Sequence, residues 1–372
     1  AIKHNLVTVS CSTQGASIGY KIIEPGKAEP AAYTVYTKPF VLEKGRQLRV
    51  VTQRIGYEKT ERIIFPGDVA LKVHALRSDH MVNPLAIENK NPLLSWEIIS
   101  REGNMLQSAY EIMAATSLQK LEKNEADLWN TGKVRSSQSA YIRYNGKALS
   151  SRQQCFWKVR VWDQQGEVSG WSVPYAWEMG LLQRSDWKAK WISRTKDNDS
   201  VRPAPLFRKE ITLNNAPVKK ARAYISGLGY YELSINGRKV GYNELDPVVT
   251  RYDKRVAYVC HDITSQLQKG RNAIGVMLGN GWYNYHTRAV WEFENAAWRN
   301  APVLIAQFEI EYTDGSKQII ITDESWKTNT GPIVFDGIMN GETYDARLEK
   351  TGWNTIDFNG EDWQAALPVA GP

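Results

Sequence analysis

Apolar and polar residues alternate with period two along most of this chain, the pattern by which a β-strand buries one face and wets the other. In YYELSINGRKVG, Tyr231, Leu233 and Ile235 form one such face, and Asn236-Gly237 then supplies the two positive-φ positions of a tight hairpin. VLIAQFEIEYTDGSKQIIIT repeats the arrangement. Leu304, Ala306, Phe308, Ile310 and Tyr312 share a face, and Asp314-Gly315 turns the chain into a return strand. Farther upstream, QQCFWKVRVWDQQG sets Trp157, Val159 and Val161 on one face and Lys158, Arg160 and Trp162 on the other. The predicted exception is a helix from Leu118 to Trp129, capped by Ser117, with Leu118, Leu121 and Leu128 along one side. One helix leaves the class all-β.

The alternating runs group into three tandem β-sandwich domains. Residues 1–66 read as a small sandwich, in which LVTVSCS, GASIGYKI and RQLRVVTQRIGYEKTERII are punctuated by Pro25-Gly26, Pro30, Lys44-Gly45 and Gly56. A brief connection at 67–71 leads into a second sandwich over 70–182, with NPLLSWEI, SAYEIMAAT, SAYIRYN and VPYAWEMGL as further strands. SDWKAKWISRTKDNDSVRPAP then joins it to a third domain, 183–372, through a start docked by Trp187 and Trp191 and a mobile, polar, proline-ended tail.

Length and composition narrow the function more than the fold. At 372 residues the chain holds two or three domains of ordinary size, and 42% hydrophobic with 23% charged residues fits globular protein. The net charge of +7 is spread among interleaved acids and bases, without the concentrated basic face that nucleic acid requires. No apolar run is long enough to cross a bilayer as a helix, and the N-terminal AIKHNLV lacks the charged and apolar regions of a leader, so a signal peptide is expected to be removed or absent. Cys11, Cys155 and Cys260 form no metal spacing and read as buried strand residues rather than a disulfide framework. The 14 Trp and 18 Tyr lean toward sugar contact, because flat aromatic faces stack on sugar rings; β-sandwich cores account for them equally well.

Two loops carry candidate chemistry. In Gly279-Asn280-Gly281-Trp282-Tyr283-Asn284, Asn280 and Asn284 would bond sugar hydroxyls and Trp282 would form a stacking wall; an ordinary turn with a core tryptophan is the alternative. In NGETYDARLE, Asn340, Glu342 and Asp345 offer hard oxygen ligands beside a flexible Gly341, suited to sugar or calcium. As a catalytic pair, Glu342 and Asp345 converge only if a turn intervenes, since odd spacing in a strand points to opposite faces. In that reading Asp246 or Glu244 is the partner. A structural role, with Asp345 pairing Arg347 or capping a turn, accounts for the same residues. His4, His74, His80, His261 and His286 show no ligand spacing, and there is no P-loop, dinucleotide fingerprint or nucleophile elbow.

FRKE, YISGLGYYELSINGRKVG, LDPVVTRYDKR, GVMLGNGWYN, TDESWKTNTGPI and NGETYDARLE together resemble the non-catalytic N-terminal half of bacterial α-L-rhamnosidases, from about Pro84 onward. SRQQCFWKVRVWDQQGEVSGWS resembles the late strands of a fibronectin type III domain. VTVSCSTQGASIGYKI with YTKPFVLEKGRQLRVVTQRIGYEKTE resembles the immunoglobulin-like repeat of chitobiase-type enzymes, a spacer. The resemblance implies a jelly roll over 183–372 that binds L-rhamnose, with Ca2+ in some members, and places the two loops together at one end. By that analogy Asn280, Trp282, Asn284, Trp291, Trp298, Asn340 and Glu342 contact a rhamnose-containing oligo- or polysaccharide, and Asn280, Asn340 and Asp345 hold the metal. The family leads one to expect aspartate where this chain has Asn280, which lowers the charge available to a cation. It also implies a secreted or periplasmic setting and a parent polypeptide with a C-terminal helical catalytic domain, an inverting glycoside hydrolase. This chain contains no such helical repeat, so alone it is expected to bind or scaffold rather than hydrolyse, with a purely structural spacer as the alternative.

Overall fold

The strand Tyr230–Ile235 buries Tyr231, Leu233 and Ile235 and exposes Glu232, as the period-two pattern requires. This structure, a computed structural model, describes all residues except 1, 4–5, 14, 25–28, 44–45, 55–58, 65–70, 101–103, 196–202 and 289–290. His4, the turn signals Pro25-Gly26, Lys44-Gly45 and Gly56, most of the connection at 67–71 and the polar tail at 196–202 lie outside the described residues. The chain forms two compact units, Ala1–Met179 and Gly180–Pro372.

The second unit is built on two six-stranded antiparallel sheets. In the first, Val218–Leu228 lies between Val259–Asp262 and Val303–Tyr312, and Val303–Tyr312 also pairs with Lys317–Ile321 and Ile192–Ser193. In the second, Arg271–Gly279 lies between Tyr230–Ile235 and Pro205–Thr212, and Pro205–Thr212 pairs onward with Lys327–Thr330. Both predicted hairpins form. Asn236 and Gly237 take φ of 50° and 79°, and Gly315 takes 84° with its N–H donating to the Tyr312 carbonyl at 3.0 Å.

Leu304, Ala306, Phe308, Ile310 and Tyr312 are all buried in one core with Phe207, Ile225, Ile274, Val276 and Trp326. Cross-strand partners alternate small and large: Ala223 faces Phe308, Ala221 faces Ile310 and Ile225 faces Ala306. That complementarity lets close-packed rows fill without voids, and each fully buried large side chain stabilises by roughly 1.5–3 kcal/mol. Outside both sheets stands a two-stranded hairpin, Ile333–Gly337 with Gly341–Tyr344.

In the first unit, Ser17–Ile23, Gln47–Gln53 and Thr60–Ile64 form adjacent strands of one sheet. Val7, Leu42, Leu48 and Val50 form a small core with Tyr20, which stacks on Phe40 at 4.3 Å between ring centroids. Later in the chain, Gln107–Ala115 pairs with Gln154–Asp163, and Leu71–Ser78 pairs with Leu93–Ser100 in a separate sheet. Trp157, Val159 and Val161 are fully buried. On the opposite face cations and indoles alternate: Lys158 lies 4.8 Å and Arg160 4.6 Å from the Trp171 ring, while Arg160 lies 5.2 Å and Lys133 4.4 Å from Trp162. Such stacks keep the charges satisfied on a nearly covered sheet face. Lys158 is itself buried, donating to the Leu121 carbonyl at 2.8 Å and Asn124 Oδ1 at 2.6 Å.

Two expectations need correction. The helix covers only Leu118–Glu122; its Ser117 cap is as predicted, with Oγ accepting from Lys120 N at 3.3 Å. Asn124 then turns left-handed at φ 61°, and Trp129–Asn130 becomes a strand paired with Met113 and Ala114, so exposed Leu118 does not share a buried face with Leu121 and Leu128. The Asp127 carboxylate pulls the chain back, accepting from Thr116 N at 2.8 Å, Thr116 Oγ1 at 2.7 Å and Lys120 Nζ at 2.6 Å. All three cysteines are free, but only Cys155 is a buried strand residue, its thiol pushed up to about 12 by burial. Cys260 is half-buried in a strand, and Cys11 is half-buried outside any strand.

Burial alone would raise the Asp127 carboxyl, but the hydrogen bonds from Lys120 and Thr116 outweigh it and hold it at about 2. A value depressed on folding contributes stability above the unfolded value of 3.8, and that contribution is lost as pH falls toward 2. Asp127→Ala is therefore expected to cost about 1 kcal/mol at neutral pH and progressively less below pH ~4. Urea denaturation across that range checks it, and an unchanged penalty in acid would contradict the assignment.

Candidate functional site

The hairpin Ile333–Tyr344 is positioned by contacts with the loop that follows strand Arg271–Gly279. That loop needs glycine for a steric reason. A Cβ on Gly229 would lie 1.9 Å from the Asn280 carbonyl oxygen, and one on Gly281 would lie 2.6 Å from the Gly229 oxygen. Two backbones therefore touch here, where only glycine fits. The loop closes with Asn284 N donating to Asn280 O at 3.0 Å.

From this loop Asn280 holds the hairpin with two short bonds to the Asp336 carboxylate and a longer one, 3.4 Å, from Nδ2 to the Asp336 carbonyl. Its backbone N donates to Asp336 Oδ1 and its Nδ2 to Asp336 Oδ2, each at 2.7 Å. Asn280 Oδ1 in turn accepts from Asn284 Nδ2 at 2.6 Å, and both asparagines are buried. Burial raises the Asp336 carboxyl above the ordinary carboxylate range against the opposing pull of the Asn280 hydrogen bonds and nearby His286. A second tie joins the loops at the rim, where Thr287 Oγ1 donates to Asn340 Oδ1 at 2.9 Å.

Between hairpin and sheet lies a cleft of about 320 Å³. Tyr230, Tyr231 and Met277 wall it from the sheet side, and Ile333 and Ile338 from the hairpin; Glu232, Glu244, Asp336 and Glu342 supply its charges. Behind the wall, the Tyr231 hydroxyl meets His261 Nε2 at 2.7 Å, and burial pushes the Tyr231 phenol far up and the His261 imidazole down. Lys239 bridges Glu232 at 3.1 Å and Glu244 at 2.6 Å. Glu342 is exposed and makes no hydrogen bond or ion pair with the described residues.

The residues singled out in the sequence divide sharply in this geometry. Asn280 and Asn284 are internal fasteners. Trp282 stacks on Tyr285 at 5.5 Å and packs with Leu228, Tyr252, Tyr283 and Val303; it backs Tyr230, whose hydroxyl oxygen accepts from the indole N–H, rather than lining the cleft. Trp298 joins the same cluster, edge-on to Tyr252 at 6.2 Å. Trp291 is 68% exposed beside Phe293. Asn340 sits in the hairpin turn, and Glu342 faces the cleft opposite Asp336 in register. A turn does follow Glu342, but Asp345 uses it to cap Ala346–Leu348 and to pair with Arg347 at 2.6 Å.

The donor set Asn280, Asn340 and Asp345 therefore does not fit a calcium ion. The Asn280 oxygen and both Asp345 oxygens are already bound within the protein. Among the described residues, no three His, Cys, Asp or Glu side chains are grouped to hold a metal. Asp336, Tyr230 and Glu232 escaped the sequence reading. The signal for Asp336 was present in FDGIMNGE, where Asp-Gly and Asn-Gly bracket a short turn, but its partner is 56 residues away.

Comparison with known proteins adds a family to this geometry. Residues 216–372 match the model of the alpha-L-rhamnosidase N-terminal domain, and 73–183 that of the Rha78A-like, N-terminal immunoglobulin domain. The latter is the sandwich whose sequence resembles fibronectin type III. An alpha-L-rhamnosidase of Formosa agariphila is 40% identical over 321 residues, covering 77% of this chain and 33% of that protein. The structure of alpha-L-rhamnosidase from Dictyoglumus thermophilum superposes with a TM-score of 0.74 at 40% identity, over 81% of this chain and 34% of the other. The Streptomyces avermitilis alpha-L-rhamnosidase, solved in complex with L-rhamnose, gives 0.75 at 25% identity over 81% of this chain and 45% of the other. The chain spans about a third of the length of the first curated relative it matches.

Removing the Asp336 carboxylate by Asp336→Ala takes away the short bonds of the buried Asn280 N–H and amide and leaves Nδ2 a long one, 3.4 Å, to the residue-336 carbonyl, at an expected cost of about 1–3 kcal/mol. Urea denaturation measures the loss, and hydrogen exchange at the Asn280 amide should accelerate with it. Because folding raises this carboxyl, the stabilisation linked to its proton is complete below the unfolded value of 3.8 and is lost as pH rises through the raised one. A variant as stable as the parent protein would show that the hairpin is held by other contacts.

Proposed function

We propose that this chain, which belongs to the α-L-rhamnosidase family through its N-terminal β-domains, binds L-rhamnose units and scaffolds a longer glycoside hydrolase. The observation that carries the reading is the cleft itself. Its tyrosines and carboxylates are hydrogen-bond partners for sugar hydroxyls, while Ile333, Ile338 and Met277 offer an apolar lining to the methyl group of a 6-deoxy sugar. Glu342 is the open acceptor in that lining, and charge-assisted hydrogen bonds to it are the stronger kind. Hydrolysis is assigned to a catalytic domain elsewhere in the parent polypeptide, acting on rhamnose-containing oligo- or polysaccharide. A spacer role is the second reading, supported by the internal bonding of Asn280, Asn284 and Asp345.

Calorimetric titration of L-rhamnose into the purified chain tests this, with calcium and again with a chelator. Saturable binding is expected, weakened about tenfold or more by Glu342→Gln, the size of a lost hydrogen bond to a charged group. Chelation should leave it unchanged, because the oxygens named for a cation are bound internally. A folded protein that releases no heat would leave the spacer reading in its place.

A further inference from the structure

We infer that the cleft selects its sugar by charge, admitting neutral saccharides and rejecting sulfated sugars and uronates. The inference rests on the saccharide reading of the same cleft and names the class of ligand it takes. It starts from a contrast. The chain as a whole carries +7, with 47 Lys and Arg against 40 Asp and Glu. Yet among the described residues the cleft is lined by four carboxylates, Glu232, Glu244, Asp336 and Glu342, and by no lysine, arginine or histidine. A cation at its edge, Lys239, is shared between Glu232 and Glu244 at 3.1 and 2.6 Å. Among the described residues, four acids around this ammonium leave the cleft negative in a positive protein.

Hydrogen-bond chemistry points the same way as the field. A carboxylate only accepts, so it is matched by a hydroxyl, which donates. A sulfate or a uronate carboxylate brings acceptors alone. Placed against Glu342 it would leave both partners without a donor while adding like-charge repulsion of about 1 kcal/mol per charge at 4 Å, even in water. The neighbouring bonds do not relieve this. Both Asp336 oxygens already accept from Asn280, and the Lys239 protons are turned to Glu232 and Glu244. The long-range part of the discrimination is screened by salt, whereas the acceptor mismatch at contact distance is not.

Three ligands separate the outcomes: L-rhamnose, its 3-sulfate and its 3-O-acetyl ester, a neutral group added at the same position. Each is titrated into the full chain at low and at high ionic strength. The sulfate is expected to bind at least about tenfold more weakly than the acetyl ester at low salt, with the gap narrowing but persisting at high salt. In a Glu232→Gln, Glu244→Gln, Glu342→Gln variant the ratio between those two ligands should approach one. All three residues are partly exposed, so the fold is expected to survive the exchange. Equal affinities in the parent chain, or equal rejection of ester and sulfate, would overturn charge selection and leave the rhamnose site standing. Failure of all three ligands to bind would overturn the saccharide reading itself, and this inference with it.

Discussion

The two short hydrogen bonds from Asn280 to the Asp336 carboxylate are the constraint on which the cleft depends. The hairpin Ile333–Tyr344 is a member of neither large sheet, so ladder bonding does not hold it. What places it is a buried amide reading both oxygens of a carboxylate, steadied from behind by Asn284. Buried polar groups arranged this way are costly if one partner is lost and directional when all are present. Direction is what a two-stranded flap needs, because apolar contact alone would let it slide. Gly229 and Gly281 serve the same end by allowing the backbones beneath Asn280 to touch.

Around that fastening, the aromatic residues serve structure more than recognition. Trp282 and Trp298 close the end of the sandwich with Tyr252 and Tyr283, and Trp157, Trp177 and Trp326 are fully buried. The cleft is lined instead by tyrosines, aliphatic side chains and carboxylates. This division has a physical reason. An indole buried on both faces contributes most to stability, while a small, polar, negative cleft suits a ligand rich in donors. The cleft is thus rich in acceptors rather than built of stacking platforms.

Strand periodicity was legible because it is local. Tyr231, Leu233 and Ile235, or Leu304 through Tyr312, must alternate if one face is to be buried, whatever the rest of the chain does. Turn chemistry was legible for the same reason, as Asn236-Gly237 and Asp314-Gly315 show. The helix after Ser117 was only half legible: its cap is local, but its end is set by Asp127 reaching back to Thr116 and by strand pairing with Met113 and Ala114. The motif content likewise carried the family, since several long motifs in order do not arise by composition.

What the sequence determined by itself was therefore the all-β class, the hairpins and the family. Only the tertiary structure decided which atoms in the two candidate loops are bonded internally and which are left open to the cleft. Asn280 looks like a sugar ligand in the sequence and becomes a fastener because Asp336, 56 residues away, arrives to use it, and Asn284 steadies Asn280 in turn. Glu232 looks like a surface acid and Glu244 like a partner for a catalytic carboxylate, and both become cleft lining because the hairpin folds over them. Hydrogen-bond partners are consumed pairwise in space, and a one-dimensional pattern does not record which donor reaches which acceptor first.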